Sequence, residues 1–209
     1  MTALMSVLGL FIHIPGILIA CTLHGYSRAA VSSFLGDKNP GRLGRLTINP
    51  IRHIEPIGFL CLFFFGLGWA KPVETKPFGY KNRRKGEIIV SILPLVVNLL
   101  GAAVLAVASH IMAVSIPYDI TAWGSWTRLA YNGLTAGAYL NLTFVIFHLI
   151  PIYPLDGARI LNLINPRWAG KIMYNQHIAQ TALMVLLCFG ILGALISPLA
   201  NGILNFVYA

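Results

Sequence analysis

The sequence has 209 residues, 57% of them apolar and only 10% charged, with a mean hydropathy of +0.75 and a net charge of +9. Soluble domains carry about a quarter charged residues, and a nucleic-acid-binding face would cluster its basic residues on a soluble surface rather than between apolar runs. A soluble enzyme, a disordered chain and a nucleic-acid-binding domain are excluded.

Five runs contain no Asp, Glu, Lys or Arg: 1–27, 56–70, 88–118, 129–155 and 172–209, together 138 residues. Four of them exceed the roughly 20 residues of a spanning helix. The expectation is an all-α polytopic membrane protein with about 4–5 transmembrane helices and a short re-entrant or β element near 42–73. In chain order, the first run reads as a long retained helix from Leu4 to Leu35, with Pro15 as a kink site. Turn formers at 36–41 break it. Arg45-Leu46-Thr47-Ile48 alternates in polarity and is a strand candidate, closed by Asn49-Pro50. Pro56–Ala70 is short for a span, and its Phe63-Phe64-Phe65 between glycines suits a re-entrant or extended segment.

Residues 71–87 form a basic loop whose Lys81, Arg83, Arg84 and Lys85 mark a cytosolic side and favour anionic headgroups. A spanning helix follows from Ile88 to Met112, with Pro94 and Asn98 inside it. A loop over 115–128 carries Trp123 and Trp126 as interfacial anchors. Another helix ends near Pro151-Ile152-Tyr153-Pro154, and a last span runs from Ile178 to Phe206. No repeat or soluble insert interrupts residues 1–209, which read as one membrane domain. Cys21, Cys61 and Cys188 sit in apolar runs without CxxC spacing and read as small apolar fillers.

Polar groups at membrane depth are expensive and face a protein interior or a wet cavity. His24, Arg28, Asn98, Asn141 and His148 are such groups, and Leu155-Asp156-Gly157 follows directly. A His and an Asp from two helices could bind a metal; a hydrogen-bonded helix contact is the plainer reading. A transporter would carry charge along several helices, and apart from Arg28 these carry none.

The arrangement resembles a family. His24 through Gly36-Asp37, Gly44-Arg45-Leu46-Thr47-Ile48-Asn49-Pro50, His53-Ile54-Glu55-Pro56-Ile57-Gly58, Trp69-Ala70-Lys71-Pro72-Val73 and Phe147-His148-Leu149-Ile150-Pro151 through Leu155-Asp156-Gly157-Ala158-Arg159 follow the site-2 protease family in unbroken order. These are intramembrane zinc metalloproteases, here in the compact bacterial form without a PDZ domain. The resemblance implies a helix whose HExxH motif supplies two zinc-binding histidines, one turn apart on one face, and a general-base glutamate. It also implies a third ligand from the LDG aspartate. His24 matches the first histidine and Asp156 the aspartate.

The rest of the motif departs from the pattern. The segment reads His24-Gly25-Tyr26-Ser27-Arg28, so Gly25 stands where the base belongs and Arg28 where the second histidine belongs. Glycine accepts no proton, and arginine stays protonated and cannot ligate zinc. His148 stands where the family has Asn, and Asn98 lies one place late in a segment without its glycine. Both positions belong, by the resemblance, to residues that hold the substrate strand. The expectation is a site-2-protease-like zinc metallopeptidase homologue that is catalytically inactive, with zinc absent or weak and Arg28 paired to Asp156 in place of the metal. It would bind transmembrane or membrane-associated protein segments in a bilayer, as a multi-pass protein of a bacterial cell membrane. The alternative is an active zinc endopeptidase that uses His24, His148 and Asp156. His13 is too far along the helix to help, Glu55 reads as structural, and His110 and His177 read as interfacial.

Overall fold

Long apolar stretches without turn formers wind into helices in this computed structural model, which describes residues 11–115 and 125–208. Helix α1 covers His13–Phe34. It buries Ile17, Ala20, Cys21, His24 and Arg28, the three- and four-residue spacing of a single face. Pro15 falls in its first turn, where a missing N–H breaks no helical hydrogen bond. The end of α1 is tied down by Asp37, whose carboxylate accepts from Ser32 Oγ (2.9 Å), Asn39 N (2.8 Å) and Lys76 N (2.7 Å). The short α2 (Asn39–Arg42) follows.

The strand expected at 45–48 is not formed, and no strand occurs among the described residues. The backbone there has no partner strand. Instead the buried Arg45 guanidinium gathers the carbonyls of Arg52, Lys71 (2.6 Å) and Pro72 (3.4 Å). A side chain thus does what a ladder would do. Lys71 N–H donates to His53 C=O at 2.8 Å, closing the same loop. The segment expected to be re-entrant or extended is not extended: it is helix α3 (Pro56–Phe65). Pro56 is pre-set for the first helical turn, and Glu55 Oε2 accepts from Gly58 N at 2.6 Å as an N-cap. Glu55 is structural, as its place in the sequence suggests.

Helix α4 (Arg83–Ser115) is a 33-residue helix that starts earlier than expected and keeps Pro94 inside it. Helix α5 covers Ser125–His148. Trp126 at its start is exposed, and the expectation for Trp123 falls outside the described residues. Helices α6 (Asp156–Ile164) and α7 (Pro166–Tyr174) follow, the latter capped by Asn165 Oδ1 accepting from Trp168 N. The single last span is two helices, α8 (Gln176–Cys188) and α9 (Ile191–Tyr208). Gly190, at φ 73°, supplies the left-handed residue that ends α8.

Helices α1, α4 and α5 pack on one another and form the frame of the site. Ala102 and Ala106 of α4, Ala138 of α5 and Ala200 of α9 let backbones approach in one cluster. A second cluster joins Ile17, Ala20 and Cys21 of α1 to Leu62 of α3 and to Leu140 and Phe144 of α5. A third joins Phe147 and Leu155 to Leu183 and Leu187 of α8 and Ile196 of α9. Two helices, α4 and α9, are long and apolar enough to cross a membrane.

Candidate metal centre

Two helix-borne groups and one turn build the site. Helix α1 presents His24 and Arg28 one turn apart, and α5 ends on His148. The Leu149–Leu155 turn then delivers Asp156 to the first residue of α6. Carboxylates suit a helix N-terminus. The tight return needs Gly157, because a Cβ there would lie 2.2 Å from Leu149 O and 2.4 Å from Ile150 O. The glycine of the LDG motif is therefore a packing requirement that fixes Asp156.

Asp156 is fully buried, and so, nearly, are His24, Arg28 and His148. Arg28 Nη2 donates to Asp156 Oδ1 in a buried ion pair. The arginine does not snorkel to the surface. On the other side of the carboxylate, His24 Nε2 lies 3.0 Å from Asp156 Oδ2, without hydrogen-bond geometry. The Nδ1 of His24 has no hydrogen-bond partner either. His148 Nδ1 pairs with Phe144 C=O at 2.8 Å, one turn back on α5. A carbonyl can only accept, so this nitrogen carries the proton and Nε2 keeps its lone pair. The His148 ring stacks on Phe144 at 3.9 Å between centroids and lies 4.8 Å from the ring of His24.

One donor atom from each of His24, His148 and Asp156 falls within 4.8 Å of the others. Two imidazoles and a carboxylate are a zinc-type donor set, and an imidazole held through Nδ1 by a carbonyl is oriented as metal-ligating histidines are. The donors fit a divalent cation in kind, and bonds of about 2.0–2.2 Å to one ion would draw them closer together than they stand. The obstacle is Arg28, which already supplies the cation that Asp156 faces.

Gly25 follows His24 on α1 and faces the 43–55 loop. A Cβ at position 25 would lie 2.3 Å from Nδ1 and 2.9 Å from Cγ of His53. The ring of His53 therefore occupies the space into which any side chain at 25 would grow. His53 Nε2 contacts Thr47 C=O at 2.6 Å, which leaves Nδ1 unprotonated, buried and without a partner. Spacing alone gives no hint of this contact, since 28 residues separate the two positions and only the fold of the 43–55 loop joins them. Burial pushes the pKa of His53 below the ordinary imidazole value, with the Thr47 carbonyl acting in the opposite direction. A folded-state pKa below the unfolded 6.5 means that the unfolded chain binds the proton first, so stability is lost as pH falls through that region. In thermal denaturation between pH 7.5 and pH 5 (about the imidazole range), His53→Gln should flatten the decline. Equal slopes for the two proteins would show that His53 plays no part in it.

Asn98 is fully buried and donates through Nδ2 to Ala20 C=O at 3.0 Å and to Asn141 Oδ1 at 3.4 Å. Its own Oδ1 has no partner. Asn141 in turn donates to Gly137 C=O. These amides brace α1, α4 and α5 one turn before His24.

The sequence matches peptidase family M50 over residues 4–193. The chain belongs to the M50, or site-2 protease, family. It is also 27% identical over 186 residues to a Bacillus subtilis (strain 168) protein named "Putative zinc metalloprotease YwhC", covering 88% of this chain and 84% of that protein. No solved structure gives a significant match. M50 is a membrane-embedded family of zinc metalloproteases. Against that family pattern, this member brings two of the motif positions, His24 and Asp156, together with His148, and pairs Arg28 with the same aspartate.

Proposed function

We propose that this chain is a multi-pass membrane protein of the M50 family that has lost the hydrolytic step and holds transmembrane or membrane-associated protein segments without cutting them. The buried Arg28–Asp156 ion pair carries the reading. A carboxylate that would ligate zinc instead neutralises a fixed guanidinium, and a permanently protonated side chain cannot become a ligand. The second support is at Gly25, where the general base is missing and its space is filled by His53. A bacterial cell membrane is the expected location. The outer faces of α4 and α9 expose Leu100, Val104, Ile111, Leu195, Leu199 and Phe206, a surface suited to lipid. Beyond Asp156 along α6, a cavity of about 160 Å³ is lined by Thr75, Tyr80, Glu87, Ser91, Arg159 and Asn162. It offers backbone-binding polar groups to a client segment beside the site.

Metal analysis of the purified protein, together with a cleavage assay on a single-span substrate, tests the reading. The expected outcome is no stoichiometric zinc and no product, with or without a chelator, while a photo-crosslinker in the substrate still captures the chain. Chelator-sensitive cleavage would instead establish the second reading, a zinc endopeptidase using His24, His148 and Asp156. That reading has one observation in its favour, the convergence of the three donors.

A further inference from the structure

We infer that this site is a masked metal centre: His148 has replaced the missing helix histidine as third ligand, and Arg28 is an internal cation that keeps zinc out by occupying Asp156. The inference rests on the reading above and adds to it the state of the pocket once Arg28 is removed. His24, His148 and Asp156 keep their donors within 4.8 Å of one another in a pocket that excludes water.

Two details are unexplained by the ion pair alone. Arg28 satisfies only Oδ1 of Asp156. Oδ2 faces His24 Nε2 at 3.0 Å with no hydrogen bond between them. A proton on His24 Nε2 would lie between these two buried atoms, and a bound cation would take the same place. Arg28 does not reach the gap. His148 is the other detail. Its Nδ1–H is spent on Phe144 C=O, which turns the Nε2 lone pair away from the helix backbone and fixes the tautomer a metal requires. Stacking on Phe144 and contact with His24 hold the ring in that pose. A divalent ion would bridge the three donors, and the guanidinium, of like charge and on the same carboxylate, excludes it by repulsion and by possession of Oδ1.

Chelator-stripped protein in detergent, titrated with Zn²⁺ and with Co²⁺, tests this. Wild type should take up no stoichiometric metal. Arg28→Gln should bind one Zn²⁺, and its Co²⁺ form should show the visible bands of a four-coordinate nitrogen and oxygen site. Adding His148→Gln to Arg28→Gln should weaken zinc by more than about tenfold, the scale on which even outer-shell losses act. Arg28→Lys keeps a positive charge with a less complete hold on the carboxylate, and should bind zinc more tightly than wild type if Arg28→Gln does not fold. Monodisperse Arg28→Gln or Arg28→Lys protein that binds zinc no better than wild type overturns the masking inference, as does full affinity in Arg28→Gln/His148→Gln. Stoichiometric zinc in wild type overturns the masking inference and the non-catalytic reading together, whereas the outcomes above overturn the masking alone.

Discussion

Arg28→Ala should destabilise the fold by about 3–5 kcal/mol, the range measured when one partner of a buried ion pair is removed. The cause is Asp156 rather than the lost arginine contacts. Asp156 is wholly buried, and its remaining neighbour His24 makes no hydrogen bond to it. Removing Arg28 therefore strands a carboxylate in a medium of low polarity, where an uncompensated charge is most costly. Asp156→Ala should be destabilising for the mirror-image reason, a buried guanidinium without its acceptor. The Arg28→Ala/Asp156→Ala protein should be more stable than the two single losses summed, by about 2 kcal/mol or more, because directly contacting groups couple on that scale. Chemical or thermal denaturation in detergent of the four proteins in the cycle measures the coupling. Additive losses would mean that the two residues do not act as a pair.

Gly25→Ala is the sharper test, because intrinsic propensity and packing give opposite signs. In the interior of α1, alanine should stabilise relative to glycine by about 0.5–1 kcal/mol. The added Cβ would lie 2.3 Å from His53 Nδ1, and that ring is anchored at its far side by Thr47 C=O, so it cannot simply swing away. A net loss of about 1–3 kcal/mol is expected from overpacking. In a His53→Ala background the same substitution should become neutral or stabilising, since the obstruction is gone. A reversal of sign between backgrounds is hard to obtain from a general loosening of the fold. Stabilisation by Gly25→Ala in the wild-type background would show that His53 does not fill this space. The consequence for rebuilding the family motif is direct. Gly25→Glu with Arg28→His rebuilds the motif in sequence, yet the glutamate has no room until His53 is also reduced to alanine.

The residues that decide the site were legible to different degrees. His24, Arg28 and Asp156 could be placed from the chain alone because helix geometry relates 24 to 28, and a motif with a tight glycine return relates 156 to the helix before it. The tautomer of His148 was also within reach, since Phe144 lies four residues earlier on the same helix. The contact between Gly25 and His53 was not. It depends on a loop whose path is set by Arg45 and by the pairing of His53 with Lys71, both long-range choices without a periodic signal. The strand at 45–48 failed for the same reason: alternation in a few residues says nothing about whether a partner strand exists. Helix boundaries within apolar runs were the other weakness. A run of 38 uncharged residues at 172–209 gives no sign of a break, and the left-handed Gly190 in it divides the run into helices of 13 and 18 residues.

The Arg45 clamp gives the 43–55 loop the shape of a lever. Its fulcrum is the guanidinium that grips the carbonyls of Arg52, Lys71 and Pro72. Its outer arm carries Ile48 and Ile51, each about three-quarters exposed, and its inner arm ends in His53 against Gly25. The loop thus joins an exposed apolar tip to a position in α1 where a missing side chain leaves room for a neighbour. The shape of this centre is therefore shared between the helix that carries the altered motif and a loop outside it.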